Sequence, residues 1–359
     1  MTNKKKIALL NFPLDNNFGG NLQRYALIKV LTDMGYEVEH LSTQFTFYDY
    51  RPLVKRIKTW IKWLLGMLPK GTYPMPIRKI RFDRGMRYVW PFYEKYIPHT
   101  QAIYDYDELK TYQDYDIYIV GSDQVWRRSM SGFYPYTSMY FDFVENKEAK
   151  KIAYGVSFGT ENNELSADEI EQVKSLYKGF LAVSVREKSG LKLLEQYGCT
   201  DPQPQVVLDP TLLLERSVYD TLIANANTCA PKGDVFCYVL DMDDKKKSAI
   251  QNYAKEHSAK PYYGGIEQDL ISIEQWLRNI RDAKYVLTDS YHGVLFSIIF
   301  NVPFKFLKNE RRGNERVSSI MSLLGIEENS VIMDWKPINM HLHEQREKSL
   351  MFLKAAAKG

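Results

Sequence analysis

Short apolar runs alternate with amphipathic segments along most of the chain. The run KKIALLNF predicts a β-strand, and LQRYALIKVLTDMG has the spacing of a helix that ends at Gly35. Further strands are predicted in YEVEHLST, DIYIV, KKIAYGVSF, FLAVSV and PQVVLD, and further helices in SADEIEQVKSLYKGF and SGLKLLEQYG. Because alternating strands and helices form parallel sheets with helices on both faces, the pattern predicts an α/β fold.

The alternation starts afresh at Asp234. Beyond it, DVFCYVLD, KPYYGG, KYVLTD and PFKFL predict strands, separated by helices in KKKSAIQNYAKEHS, SIEQWLRNIRDA and GVLFSIIFN. A chain of 359 residues is too long for one ordinary core. We therefore predict two Rossmann-type doubly wound domains, 1–215 and 216–359, that face each other across a cleft. The first carries an insertion at about 51–98, and the second ends in a helix.

The composition places this fold among ordinary globular proteins. Apolar residues make up 45% and charged residues 26% of the chain. No apolar run approaches the ~18 residues of a spanning helix, and the start indicates a first strand, not a signal peptide. The three cysteines, Cys199, Cys229 and Cys237, match no zinc spacing. We expect reduced thiols and a cytoplasmic protein.

The insertion carries a concentrated positive charge. Residues 51–90 hold eleven Lys or Arg and one acid, Asp83, a net of +10 in a chain of net +4. Residues 54–68 have the period of an amphipathic helix. Its apolar stripe is Val54, Ile57, Ile61, Leu64, Leu65 and Leu68, opposite Lys55, Arg56, Lys58 and Lys62. This pattern is typical of a helix in an anionic membrane interface, or of a surface helix packed on its domain. No nucleic-acid motif accompanies the charge, so nucleic acid is not expected.

Four predicted strands run into polar or glycine-rich loops. In parallel sheets ligands bind at the carboxyl ends of the strands, so we expect these loops at a ligand-binding edge. The candidate residues are Asn16, Asn17, Gly19 and Gly20 in NNFGGN, Ser122, Asp123, Gln124, Trp126 and Arg127 in GSDQVWRR, Arg186 in VREKSG, and Asp289, Ser290, Tyr291, His292 and Gly293 in TDSYHG.

The first two loops each allow two interpretations. NNFGGN is either a loop that lets the backbone approach an anion at a helix start, or a tight turn with an Asn cap. GSDQVWRR combines carboxylate, amide, indole and guanidinium groups, which is typical of a sugar site. The alternative is a helix cap by Ser122 or Asp123 followed by a half-buried Trp126.

The other two loops also remain open from spacing alone. Arg186 offers a planar fork for a carboxylate or phosphate, or it forms a structural ion pair with Glu187 or a neighbouring acid. His292 is either an acid–base group that titrates near neutral pH, or a hydrogen-bonded histidine at a helix start.

Taken in order, four motifs resemble the polysaccharide pyruvyl transferase family. They are NNFGGNLQRYAL, VGSDQVW, SVREKSG with VVLDPTLLL, and LTDSYHGVLFSIIFNVPF, and the resemblance runs from about Ile7 to Leu324. It implies a GT-B-like pair of Rossmann-type domains with the active site in the cleft. It also implies transfer of pyruvate from phosphoenolpyruvate to a sugar of a cell-surface polysaccharide, usually as a cyclic ketal.

The resemblance assigns roles to particular residues. The histidine of the family motif falls on His292, a general acid–base, and the donor-binding arginine falls on Arg186. Several members carry an arginine two residues before the histidine, where this chain has Ser290. The substitutes that we predict for this missing anion clamp are Arg311, Arg312 and Arg316. Asp289 either orients the imidazole or caps the following helix, and we favour the cap.

The resemblance also implies partners. The chemistry needs no metal and no cofactor, with phosphoenolpyruvate as donor substrate and a lipid-linked or nucleotide-linked glycan as acceptor. The basic helix would hold the enzyme at the inner membrane face. Two rivals remain: a GT-B glycosyltransferase that uses a nucleotide sugar, with Glu267 or Asp269 on the ribose, and a non-catalytic glycan-binding relative, which the Ser290 departure favours.

Overall fold

The computed structural model contains two parallel β-sheets. It describes residues 4–45, 53–67, 74–130, 134–265, 269–309, 314–327, 332 and 334–358. The first sheet is formed by β1 (Lys6–Leu10), β2 (Glu37–His40), β3 (Ile117–Val120), β4 (Lys150–Val156), β5 (Ala182–Val185) and β6 (Gln205–Val206). The second is formed by β7 (Val235–Tyr238), β8 (Pro261–Tyr263), β9 (Tyr285–Thr288) and β10 (Phe304–Phe306).

Helices connect the strands. They are α1 (Phe18–Asp33), α2 (Leu53–Leu64), α3 (Met75–Tyr96), α4 (Tyr106–Leu109), α5 (Ala167–Tyr177), α6 (Lys188–Gln196), α7 (Arg216–Ala224), α8 (Asp244–Glu256), α9 (Ile273–Arg281), α10 (Tyr291–Phe300), α11 (Glu315–Leu323) and α12 (Lys336–Lys358). They include those predicted from the apolar pattern as well as α3, α4, α7 and α11, which were not predicted. None of the helices in the described ranges is both long and apolar enough to cross a bilayer.

The strand order reverses beside the first strand of each sheet. The orders are β2-β1-β3-β4-β5-β6 and β10-β9-β7-β8, and every pair is parallel. β3, β7 and β1 beyond the exposed Lys6 are buried at every position, as expected of strands that helices cover on both faces. The predicted class, two Rossmann-type doubly wound sheets in a GT-B-like pair, is confirmed.

The C-terminal helix returns to the first sheet. We grouped α12 with residues 216–359. Near its start His341 Nδ1 lies 3.2 Å from Leu324 O, but its later turns contact the N-terminal half. Ser349 Oγ accepts a hydrogen bond from Leu208 N at 2.9 Å, and the Phe352 ring lies 6.3 Å from the Tyr154 ring. The halves also share apolar contacts elsewhere, since the Phe18 ring lies 5.8 Å from Trp276. The segment 215–233 between the sheets includes α7.

The two helices of the insertion differ in burial. In α2 none of the twelve residues is buried. In α3 one face packs on the body of the protein through Gly85, Val89, Phe92 and Tyr93. The C-terminal end of the predicted helix, Leu68, lies outside the described residues.

Candidate active site

The carboxyl ends of both sheets face a common cavity of about 520 Å³. Asp123 and Gln124 line it from the loop after β3, and Ser290, Tyr291 and His292 line it from the turn between β9 and α10. A reversal of strand order opens a crevice at the strand ends, and each sheet has one here. The cavity therefore lies where the motifs predict a ligand site.

Arg186, directly after β5, is enclosed by acids. Its Nη2 donates to Asp123 Oδ1 at 3.1 Å and its Nη1 donates to Asp209 Oδ2 at 2.8 Å. Glu187 Oε2 lies 3.8 Å from its Nε. The side chain is 1% exposed and stands behind the cavity wall. This geometry shows the ion pair that was one of our two interpretations, while the donor contact stays a prediction.

The charges of these acids follow from their surroundings. Burial would raise the pKa of Asp123, but Arg186 and Arg316 outweigh it and lower that pKa to about 2. At Asp209 burial is likewise outweighed, by His292 and Arg186, and the pKa is lowered. At Glu187 burial prevails over Arg186 and raises the pKa. Asp123 and Asp209 are therefore the anions that hold the guanidinium.

His292 is the second residue of α10 and packs on the backbone of α1. A Cβ added to Gly19 would lie 2.0 Å from the ring Nδ1, so the position requires glycine. Within the described chain Nε2 makes no hydrogen bond, and it lies 3.8 Å from Asp209 Oδ2. Burial lowers the pKa of His292 to about 4, although Asp209 and Asp123 favour the charged form. The imidazole is thus neutral near pH 7 and able to accept a proton.

Tyr291 lies between two guanidinium groups. The Cζ atoms of Arg186 and Arg316 lie 4.7 Å and 5.2 Å from its ring centroid. Arg316 lines the cavity, and its Nη1 donates to Asp123 Oδ1 at 3.3 Å. Burial, and then the proximity of Arg186, lowers the pKa of Arg316. Arg316 is accordingly the arginine of this cluster that stands next to ligand space.

Arg316 is one of the three arginines predicted to replace the one absent at position 290. It occupies the second position of α11, and the cavity wall includes both it and the next residue, Val317. Arg311 and Arg312 lie outside the described residues. Of the three predicted substitutes, Arg316 is therefore the one that the structure places at the site.

Ser290, not Asp289, caps α10. Ser290 Oγ accepts a hydrogen bond from Gly293 N at 3.3 Å. The Asp289 carboxylate accepts from Lys246 Nζ at 2.8 Å and from the backbone N–H of Leu240 at 2.6 Å. Our preference for Asp289 as the cap is wrong, because its oxygens hold the loop after β7.

Two residues predicted to contact a sugar lie away from the cavity. The Trp126 indole is buried, donates from Nε1 to Met139 O at 3.0 Å and stacks on Tyr140 with centroids 4.6 Å apart. Arg127 donates to Glu164 Oε1 at 3.2 Å. The prediction of a sugar-facing indole is therefore corrected: the polar loop is short, and Trp126 already belongs to the core beneath it.

The remaining loop residues hold the site together. Asn17 lines the cavity and caps α1, since its Oδ1 accepts from Gly20 N at 3.3 Å. The Asn16 side chain abuts Gly85 of α3, where an added Cβ would lie 2.4 Å from its Nδ2. Buried Ser122 donates to Gly155 O at 2.9 Å. The Asn cap that was one of the two interpretations of NNFGGN is therefore present, and the capped turn also brings Gly19 against His292, while the approach of an anion stays a prediction.

Two acids at the site escaped the residue-level predictions. Asp209 lies in the quoted motif VVLDPTLLL without a predicted role, yet it is fully buried between Arg186 and His292. Asp15 lines the cavity; burial raises its pKa, and Arg24 opposes that change. Their positions in the sequence could have indicated them, since both acids closely follow a strand of the parallel sheet.

The sequence comparison identifies the family. The family model for polysaccharide pyruvyl transferases matches residues 17–311, most of the chain. The chain belongs to the polysaccharide pyruvyl transferase family. The match begins at Asn17, inside the first motif loop, and includes the other three loops, and with them Asp123, Arg186, Asp209 and His292. A search of curated proteins finds no match.

The search of solved structures finds matches of low sequence identity that cover most of the chain. UDP-N-acetylglucosamine 2-epimerase from Rickettsia bellii is 10% identical with a TM-score of 0.45, and the match covers 98% of this pyruvyl transferase family member and 96% of the epimerase. Arabidopsis thaliana UGT89C1 complexed with UDP-L-rhamnose is 11% identical with a TM-score of 0.45, covering 99% and 94%. The S. aureus MnaA–UDP structure is 11% identical with a TM-score of 0.46, covering 98% and 91%.

Proposed function

We propose that this protein transfers pyruvate from phosphoenolpyruvate to two hydroxyl groups of a sugar in a cell-surface polysaccharide unit, forming a cyclic ketal. One observation carries the proposal. A neutral histidine from the second sheet, His292, stands beside the cluster that Arg186 forms with ionised acids after strands of the first sheet, at a cavity that both sheets line. Family membership supplies the polysaccharide acceptor at the level of the class.

The cavity has features that suit an anionic donor. Helix N-termini favour anions, and the caps of α1 and α10, Asn17 and Ser290, both line the wall. Arg316 stands at the same wall beside Tyr291. We assign the donor's carboxylate or phosphate to Arg316 and these N-termini. Arg186 is enclosed by Asp123 and Asp209 and does not line the cavity. Its role toward the donor is indirect, because it holds these two carboxylates in place.

The reaction balances without a redox partner. C3 of the enolpyruvate gains a proton, and C2 forms a bond to the first sugar oxygen as that hydroxyl loses its proton. The bond from C2 to the phosphate oxygen then breaks while C2 bonds to the second sugar oxygen. The second hydroxyl proton leaves with inorganic phosphate, so one ketal and one phosphate are formed.

His292 is suited to the proton steps. Its lowered pKa leaves the imidazole free to take the proton of the first hydroxyl. The imidazolium then formed lies close to ionised Asp209, whose oxygen is 3.8 Å from Nε2. That charge stabilises the protonated ring, which passes the proton to C3 of the donor as the sugar oxygen bonds to C2.

The transfer assay follows inorganic phosphate release and pyruvylated sugar when phosphoenolpyruvate meets polysaccharide repeat units. His292→Gln is expected to lower kcat by about 10²–10⁴-fold. His257→Gln, a change at the end of α8, is the matched control and keeps wild-type activity. Thermal stabilisation by nucleotide sugars alone, without pyruvyl transfer, would support the glycosyltransferase. Activity that is unchanged in His292→Gln would refute the assigned role.

The described acid that was predicted to contact the ribose for that rival, Asp269, lies away from the cavity. Asp269 pairs with Lys232 at 3.0 Å, both side chains are at least half exposed, and neither lines the cavity. Glu267 lies outside the described residues. The pyruvyl transferase therefore remains the proposal that the site favours.

We also propose that the enzyme works in the cytoplasm against an anionic membrane, where lipid-linked acceptors are presented. The support is α2, whose apolar side chains are exposed, Leu64 by 73%, next to lysines of the same helix. Co-sedimentation with vesicles of anionic lipid is expected for the wild type. The variant with Lys55, Lys58 and Lys62 changed to Glu should stay in solution, and equal binding of both proteins would contradict the proposal.

A further inference from the structure

Arg78 reaches the active-site cavity from the basic insertion. It is the fourth residue of α3 and lines the cavity, although α3 lies outside both sheets. Its side chain is exposed, and within the described part of the chain its guanidinium has no hydrogen bond or ion pair. Arg186, by contrast, has its charge met by Asp123 and Asp209. Arg78 thus offers an uncommitted cation to a ligand in the cavity.

The position of Arg78 is fixed by the packing of α3. Gly85 approaches the Asn16 side chain so closely that a Cβ would lie 2.4 Å away. The Phe82 ring contacts the Phe45 ring edge-on at 5.9 Å, and Phe45 lines the cavity. Because Arg78 and Phe82 are four residues apart, they share one face of the helix. Arg78 therefore stands at the part of the wall that Phe45 forms.

That part of the wall suits a saccharide more than an anionic donor. Phe12, Phe45, Tyr134 and Met139 give it apolar and aromatic surface. Such surface packs against the C–H faces of sugar rings. A ligand that places a sugar here and an anion at Arg78 would satisfy both features.

The location also separates Arg78 from the reacting atoms. α3 meets the NNFGGN loop at Gly85, and that loop packs on His292 through Gly19. Arg78 lies seven residues before Gly85, which is about 10 Å away along the helix axis. The donor phosphate is attached directly to the reacting carbon and belongs near His292. An anion at Arg78 must then belong to the acceptor.

We propose that Arg78 binds the diphosphate that joins the acceptor sugar to its carrier. This inference rests on the proposed pyruvyl transfer and names the form of its acceptor. Guanidinium groups recognise phosphate by paired, charge-assisted hydrogen bonds. The carrier is either a nucleoside or a polyprenyl lipid, since both present the same diphosphate.

The test compares three acceptors in wild type, Arg78→Ala and Arg84→Ala. The acceptors are a methyl glycoside, the same sugar on uridine diphosphate, and the same sugar on polyprenyl diphosphate in vesicles. Arg84 is the matched control, because it is exposed on the same helix and does not line the cavity. The preferred charged acceptor of the wild type identifies the carrier.

In Arg78→Ala the ratio of kcat/KM for the charged acceptor to that for the glycoside should fall roughly 10-fold to 100-fold. Arg84→Ala should keep the wild-type ratio. An unchanged ratio in Arg78→Ala, or an equal fall in both variants, overturns the inference while transfer itself stands. If the wild type transfers no pyruvate, the proposed function fails, and the site at Arg78 is then tested by calorimetry with inorganic pyrophosphate. Binding that is lost only in Arg78→Ala supports the site. Equal binding in all three proteins refutes it.

Discussion

Two buried charge networks stand at the carboxyl ends of the two sheets, and they are satisfied to different degrees. In the second sheet, Asp289 accepts from Lys246 Nζ, Asn309 Nδ2 and the N–H groups of Leu240 and Asp241, at 2.6–3.1 Å. In the first sheet, Arg186 faces three acids, and His292 beside it has a ring nitrogen without a hydrogen bond in the described chain.

The difference separates a structural network from a reactive one. A carboxylate with four donors gains nothing from a ligand and holds its loop in place. The Arg186 cluster instead keeps a neutral histidine and two ionised carboxylates in contact, with the pKa of Asp123 at about 2 and that of His292 at about 4. Both pKa values are lowered, which leaves the carboxyl ionised and the imidazole neutral, and perturbed pKa values of this kind are typical of functional sites.

Removal of Arg186 should have the largest effect on stability. In Arg186→Ala the buried acids Asp123, Asp209 and Glu187 lose their main cation, so the free energy of unfolding should fall by about 3–5 kcal/mol. Lys29→Ala is the control, since it breaks an exposed pair with Asp33 that is worth about 0.3–0.5 kcal/mol. Urea unfolding measures both losses. Similar losses in the two variants would show that the buried acids do not depend on Arg186 to balance their charge.

The histidine should make stability depend on pH. Its pKa is about 4 in the folded chain and near 6.5 when unfolded, so the unfolded chain alone takes up the proton between these values. The free energy of unfolding should therefore fall on the order of 3 kcal/mol more in wild type than in His292→Gln as the pH drops from 7 to 4. Above pH 6.5 the contribution vanishes. Parallel pH profiles of urea unfolding would contradict the neutral imidazole.

Loss of the cation should matter less in the second network. In Lys246→Met the Asp289 carboxylate keeps Asn309 and two backbone donors, so its charge remains solvated. We expect a loss of about 1–3 kcal/mol, below that of Arg186→Ala. A larger loss than in Arg186→Ala, measured in the same urea series, would reverse the ranking of the two networks.

The smallest effect is expected at Gly20, in a comparison of two adjacent glycines. A Cβ at Gly19 meets the His292 ring at 2.0 Å, whereas one at Gly20 lies 3.6 Å from Asn17. Gly19→Ala should therefore cost about 1–3 kcal/mol and lower kcat by displacing the imidazole. Gly20→Ala should be neutral or stabilise by up to about 1 kcal/mol, as alanine favours helices. Equal kcat in the two variants would argue against the close approach of His292 and α1.

Much of the framework was predictable from local patterns. The run KYVLTD predicts β9, and the apolar segment after TDSYHG predicts α10, because β9 is buried at every position after Tyr285 and α10 is buried along its whole length. The strand-to-loop positions also predict which residues approach the ligand edge. The period of the apolar residues indicates which face of an element is buried. In a parallel sheet every loop that follows a strand lies at the same, carboxyl, edge.

Such patterns could not predict which side chains contact one another in the folded chain. Trp126 was predicted to face a sugar but packs on Tyr140, and Asp209 was given no role but lies between Arg186 and His292. Arg186 follows a strand as predicted, yet it stands behind the wall while Arg316 and Arg78 face the cavity. Each of these outcomes depends on residues far apart in the chain.

The sequence by itself determined two parallel sheets, the four loops at their edges and the family, since these rest on period, order and motif. The tertiary structure decided which acid meets which base. Burial raises or lowers a pKa only once non-local neighbours fix how much water and which charge surround the group. His292 is one letter in TDSYHG, and it becomes a neutral base because α1 presents a glycine to its ring and the first sheet supplies Asp209.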